Sequence, residues 1–222
     1  MALPTFNPLP TTQASGTFGS STLGYIAGSL YPDAASRNKI RQGFIDPSVS
    51  ALMYGGVGIA VNTAKAASPM MNPTLTLAAA IANLQGFLCW DQSAASIQIP
   101  QSAVPLAEPA MGFSFVEFGS GVCIALPISA TNAANLLSAT GALIQDNQDL
   151  SWDYTNQVVI PYTNTGGNAG AIPGPAWNGT LSQYVARIIE VQIGNSWVVT
   201  PNSPVSGEAN WNESGAVVVL QI

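Results

Sequence analysis

Few side chains in this sequence could do chemistry. Asp146, Asp149 and Asp153 form its densest acidic group, within QDNQDLSWDYTN. Paired carboxylates can serve a glycosidase as acid and base, or bind calcium. The stretch lacks a D-x-[DN]-x-[DN]-G loop and the Glu that closes it, so a solvated turn ahead of a hairpin is the plainer reading. Histidine is absent from the whole chain, which removes Ser-His-Asp and Cys-His nucleophile activation, His metal sites and the commonest general acid–base group together. Cys89 and Cys123 cannot complete a zinc site alone and read as buried free thiols. GGVG (55–58) and GNAGAIPG (167–174) carry neither the Walker lysine nor a dinucleotide fingerprint, so neither reads as a phosphate cradle. Among the five tryptophans, Trp177 in GPAWNGT is best placed to stack on a sugar ring, although Trp more often anchors a core or an interface. No catalytic set, no metal site and no cofactor are therefore expected.

Charge is scarce and unevenly placed. Only 7% of the 222 residues are charged, against about 25% in an average soluble domain, so Ser, Thr, Asn, Gln and Gly must keep the surface wet. Residues 1–65 hold four basic against two acidic side chains, a net of +2, whereas residues 66–222 hold Arg187 against nine acids, a net of −8. An acidic chain of this kind does not suit nucleic acid, which needs clustered Lys and Arg. Three of the five basic residues, Arg37, Lys39 and Arg41, alternate within SRNKIRQGFI. If extended, they point to one side as a positive stripe. An equal alternative is an exposed edge strand whose cations discourage edge pairing.

The elements that must position these groups are mainly strands. Sixteen prolines and 21 glycines are spread throughout and few windows sustain a helical apolar period, which predicts short strands joined by turns. Strands are expected over 50–61, 111–118, 121–128, 157–161, 184–193, 196–200 and 216–222. In YVARIIEVQI (184–193), alternation would place Val185, Arg187, Ile189, Val191 and Ile193 on one face. Helix is expected only in part of 74–88 and in TNAANLLSATGALI (131–144), capped by Thr131 or Asn132. WDYTNQVVI (152–160) and WNESGAVVV (211–219) echo one another, each reading as strand, tight turn, strand with Asn156 and Gly215 at the turns. The run 74–90 falls short of the ~20 apolar residues of a membrane span. MALPTFNPLPTTQASG has no basic n-region or apolar h-region, so it reads as an extended arm rather than a secretory signal. The sequons at Asn178 and Asn212 are taken as chance matches. The expected fold is all-β, a jelly-roll or β-barrel-like sandwich, with an arm over 1–24 and a single domain over 25–222 carrying short helical insertions near 62–110 and 129–180.

Three blocks carry a resemblance. GYIAGSLYPDAASRNKIRQGFIDPSVSALMYGGVGIAV sets a Tyr-Pro and a Ser-Arg-Asn step ahead of a GFI strand; LSWDYTNQVVIP follows; VARIIEVQIGNSWVVTPNSPVSGEANWNESGAVVVLQI ends the sequence. Their order and spacing resemble the structural cement, or capsid decoration, proteins of tailed bacteriophages, over roughly half of the chain. The resemblance implies an N-terminal segment leading into a barrel that a terminal hairpin closes. It implies a non-enzymatic virion protein, made in the bacterial cytoplasm, that sits on the outer surface of the capsid and bridges neighbouring major capsid subunits. It would self-associate, as a homotrimer in preference to a dimer, with no nucleic-acid or membrane partner. Arg37, Lys39 and Arg41 would then face acidic capsid surface. Two other readings compete: a carbohydrate- or receptor-binding β-sandwich resting on Trp177, and a glycosidase using two of Asp146, Asp149 and Asp153.

Overall fold

Alternation of side chains sets the strands of the computed structural model, which describes residues 25–30, 39–62, 73–90, 106, 109–144, 149–162, 186–201 and 209–222. The fold is all-β. Five strands, β1 (Arg41–Ile45), β2 (Gly58–Asn62), β3 (Thr74–Leu77), β4 (Gly86–Leu88) and β5 (Gly112–Glu117), close into a barrel in the order β1-β3-β2-β4-β5. The remainder, β6 (Cys123–Ile128), β7 (Leu150–Asp153), β8 (Val158–Pro161), β9 (Arg187–Pro201) and β10 (Ala209–Gln221), form a second sheet in the order β7-β8-β6-β10-β9. One short helix, α1 (Ala130–Asn135), follows β6. No helix among the described residues is long and apolar enough to cross a membrane.

A barrel this small is filled by its own side chains. Ile45, Ile59, Leu75, Leu88, Phe113 and Phe115 point inward with Met53, Tyr54 and Val57. The next positions along β4 and β5, Phe87 and Val116, point out of the barrel and join the core of the second sheet. There they meet Ile124, Leu126 and Ile128 of β6, Val218 and Leu220 of β10, and Leu150 and Trp152 of β7. The opposite face of β6 and β10 is apolar too: Ala125, Val217 and Val219 are buried among Tyr25, Ile189 and Val198. Burial on both faces explains why AVVVLQI is a continuous apolar run rather than an alternating one.

Several expectations are corrected. The stretch 74–88 is not helical: TLTL follows Pro73 with period two, Leu75 turns into the barrel, only a single 3₁₀ turn (Ile81–Asn83) follows, and β4 begins at Gly86. The strand expected over 50–61 begins only at Gly58, because Gly55 and Gly56 form a turn. Of the helix expected over 131–144 only Ala130–Asn135 forms, Leu137 and Leu143 pairing in an antiparallel bridge beyond it, and Ser129 caps it: its Oγ accepts from the Asn132 N–H at 3.1 Å. The segments 184–193 and 196–200 fuse into one 15-residue strand, passing through Gly194 and Asn195 in left-handed conformation. A register shift between Val219 and Leu220 of β10 reverses the alternation in β9, so that Ala186, Ile188 and Val191 face the main core while Ile189 packs on the opposite face. WDYTNQVVI is the β7–β8 hairpin, with Trp152 opposite Val159. Its supposed copy is no hairpin, since Asn212–Gly215 is an irregularity inside the continuous β10. The C-terminal pair does not close the barrel; β1 does, pairing with both β3 and β5.

The N-terminal arm lies outside the described residues. Of the two stretches expected as insertions, 73–90 supplies β3 and β4 to the barrel and 130–161 supplies α1, β7 and β8 to the sheet.

Candidate interaction surface

The basic cluster begins the barrel. Arg37 lies outside the described residues, Lys39 sits in a 3₁₀ turn and extended backbone starts only at Arg41. A stripe built on continuous extension therefore does not run through Lys39. β1 as a whole is not an edge strand, since it pairs with β5 from Arg41 to Phe44 and with β3 at Phe44 and Ile45; at Arg41 itself the described pairing is to β5. Arg41 stands opposite Phe115 of β5, and its Nη1 reaches Glu117 Oε2, two residues further along that strand. This pair is exposed, 61% at Arg41, so it contributes ~0–1 kcal/mol and leaves the guanidinium accessible. Lys39 is exposed and directs its Nζ to the turn at Gly121, 3.4 Å from where a Cβ would stand. Arg41 and Lys39 thus mark the β1–β5 side of the barrel and the turn that leads to β6. Ile144 and Ile193 are large apolar side chains left exposed, at 57% and 43%.

Of the acidic group, Asp153 alone has a described structural role. Asp146 lies outside the described residues and Asp149 is exposed. Asp153 holds the β7–β8 turn: Oδ1 accepts from the N–H groups of Thr155 and Asn156, and Oδ2 accepts from Asn156 Nδ2 at 2.7 Å. Partial burial pushes its carboxyl up, but the hydrogen bonds from the Asn156 side chain and from both backbones outweigh that and hold it below the ordinary carboxylate range. A general acid needs the opposite shift. Burial pushes the phenols of Tyr54 and Tyr154 up to about 12, so neither supplies a phenolate at neutral pH. Among the described residues no group of three or more Cys, Asp or Glu is placed to hold a metal ion. The thiol of Cys89 is buried and that of Cys123 is half-buried. Trp177 lies outside the described residues, and Trp152 is core.

The sign of the Asp153 shift fixes a pH dependence. Its stabilisation is present above the unfolded-state value and disappears as pH falls through the lower folded-state value. At pH 7, Asp153→Ala is expected to cost on the order of 1–2 kcal/mol through lost charge-assisted hydrogen bonds. Thermal melts at descending pH should show the gap between variant and wild type closing below the ordinary carboxylate range. A gap that stays constant to strongly acidic pH would contradict this role.

Compared with known proteins, the chain matches no family model. No curated protein and no solved structure is significantly similar to it.

Sequence reasoning missed the residues that join barrel to sheet. Gln157, in left-handed conformation and 8% exposed, accepts at Oε1 from the Gly58 N–H of β2 at 3.1 Å and from Trp152 Nε1 at 3.3 Å. Its Nε2 donates to the Tyr154 carbonyl. Residues 25–30 form a second tie, a strap laid across both halves. Trp197 N–H donates to the Tyr25 carbonyl and Ala27 N–H to the Trp197 carbonyl, Gly28 N–H donates to Ala125 of β6, and Trp90 N–H donates to the Gly28 carbonyl, all within 2.7–2.9 Å. The GGVG cluster serves this strap: a Cβ on Gly28 would lie 2.5 Å from Gly55 C and Gly56 N. The glycines were visible in the sequence; their partner at Gly28 was not.

Proposed function

We propose that this chain is a non-enzymatic virion structural protein that binds the outside of a phage capsid and bridges neighbouring major capsid subunits. The observation that carries the reading is the spatial grouping of the resembling blocks. LSWDYTNQVVIP folds as β7–β8 and the C-terminal block as β9–β10, on either side of β6 in one sheet. The described part of the first block supplies the strap, β1 and β2. Asp153, one of the three carboxylates considered for chemistry, is engaged in holding the β7–β8 turn, which suits a molecule that works through contact.

Attachment would come from several moderate contacts made by one homotrimer to different capsid subunits, each raising the effective concentration at the next. A specific contact typically buries about 1,200–2,000 Å². Subunits joined this way must separate against that added interface when the shell is under internal pressure. Lys39 and Arg41, with Arg37 beside them in sequence, provide the positive face of a negative protein and orient it toward acidic capsid surface.

Reversing all three cations to Glu is expected to lower capsid affinity by about tenfold or more at low salt and to flatten its salt dependence. The measurement is occupancy on purified particles across a salt series. Unchanged occupancy and unchanged salt dependence would remove these residues from the contact. Electron microscopy of particles assembled with and without the chain tests the whole reading; absence of added density outside the shell would end it.

A further inference from the structure

We infer that the groove filled by residues 25–30 is a strand-accepting site which a second copy of this chain can fill with its own strap. This deepens the self-association in the reading above and rests on that part of it, not on capsid binding. The strap is held in the manner of an added strand, by main-chain bonds to Trp197 of β9, Ala125 of β6 and Trp90, with bridges at Ile26↔Trp197 and Leu30↔Ile124. Such bonds give affinity to any extended segment, and shape then selects among them. Selection here falls on glycine. Gly28 has φ +84°, and only a residue without Cβ fits against Gly55 and Gly56. Ile26 and Ala27 on its N-terminal side are buried at 6% and 2%, and Tyr25 adds a side-chain anchor, its hydroxyl donating to Glu190 Oε2 at 2.6 Å. The occupant that satisfies all of these requirements by construction is the same segment from another copy.

The connection permits the exchange. Leu30 pairs with Ile124, and Lys39 reaches the turn at Gly121, three residues before Ile124 in sequence. The nine steps from Leu30 to Lys39 can extend to about 30 Å. A tether of that length lets the strap reach the groove of a neighbour standing within that distance while β1 stays in its own barrel. Short tethers set the competing concentration in the millimolar range, so the exchanged form is favoured where copies are crowded.

The test uses the full chain with Ser29→Cys and Ala125→Cys in a Cys89→Ala, Cys123→Ala background, the two new thiols standing at positions joined by the Ala125 N–H to Ser29 carbonyl bond of 2.9 Å. Unlabelled and ¹⁵N-labelled chains are mixed, incubated below their unfolding temperature at about 0.01 to 1 mM, a range bracketing the tether's effective concentration, oxidised so that facing thiols link as a disulfide, and digested without reduction for mass spectrometry. Links joining a light strap peptide to a heavy β6 peptide are expected, rising with concentration to a tenth or more of all links at the upper end. Only light–light and heavy–heavy links at every concentration would overturn the inference. Hydrogen exchange on the unaltered protein adds a second criterion. The amides of Ala27, Gly28 and Ala125 are expected to exchange at least a hundredfold faster than that of Val218 in β10, reporting release of the strap without global unfolding. Equal protection at all four would equally overturn it. Light–heavy links from a chain that never decorates particles would leave strand exchange standing and remove the capsid reading.

Discussion

Trp152→Ala is expected to lower the unfolding temperature by on the order of 10 °C, the largest loss of any single truncation considered. Trp152 is 1% exposed and sits where the outward face of the barrel meets the second sheet. Its ring meets Phe87 of β4 at 4.9 Å and 61°, and Phe87 in turn meets Phe118 at 5.6 Å. Truncating a buried Trp to Ala typically costs about 3–5 kcal/mol from lost transfer energy and the cavity left behind. In a chain of this size each kcal/mol is worth roughly 2–4 °C. The hydrogen bond matters as well as the volume. Gln157 Oε1 receives both Trp152 Nε1 and the Gly58 N–H, so the cavity would also loosen the acceptor that ties β2 to the hairpin. Trp152→Phe keeps an aromatic ring but loses the N–H together with the five-membered part of the indole, and should cost less than the Ala variant, about 2–3 kcal/mol. Thermal and urea melts of the two variants compare the smaller cavity with the larger one. A loss under about 1 kcal/mol in the Ala variant would mean that the core does not join the halves through this residue.

Gly28→Ala follows, with an expected loss of about 3 kcal/mol or more. Two penalties coincide at this position. The backbone is at φ +84°, where a side chain costs about 1–2 kcal/mol. The added Cβ would also meet main-chain atoms at 2.5 Å, which cannot move aside as the end of a side chain can. Gly119→Ala isolates the first penalty, since Gly119 has φ +78° and nothing within 4 Å of its Cβ position. It should cost only about 1 kcal/mol. Hydrogen exchange on Gly28→Ala should show lost protection at Trp90, Ala125 and Trp197, whose N–H groups serve the strap. Amides that bond β6 to β10 should keep theirs. A Gly28→Ala variant no less stable than Gly119→Ala would show that the strap does not pack as described.

Much of the fold was legible because strand-forming signals are local. Phe113 and Phe115 alternate with Ser114 and Val116, and β5 forms where that pattern predicts. The apolar run of β6 and the Asp153-Tyr154-Thr155-Asn156 turn were equally readable, because strand and turn preferences reside in neighbouring residues. The errors arose where a distant partner decided the outcome. Ala-rich 74–88 lacks a helix because Leu75 pairs with Val61 and Ile45 inside the barrel. β9 reverses its facing because β10 shifts register beside it. The candidate site was legible only as a list of cations. Whether β1 stood at an edge or within a closed barrel depended on β3 and β5, both of which lie well beyond it in sequence.

By itself the sequence determined the material: strands rather than helices, no histidine chemistry, an acidic protein with its few cations gathered near one end. These follow from composition and from patterns a few residues long. The tertiary structure alone decided which strands close the barrel, which glycines serve as landing points for a strap, and which carboxylates are spent on turns. Each of those outcomes depends on atoms meeting across tens to well over a hundred residues, as Gly58 meets Gln157 and Tyr25 meets Glu190. Such meetings are fixed by packing of the whole chain and leave no periodic trace in the residues that make them.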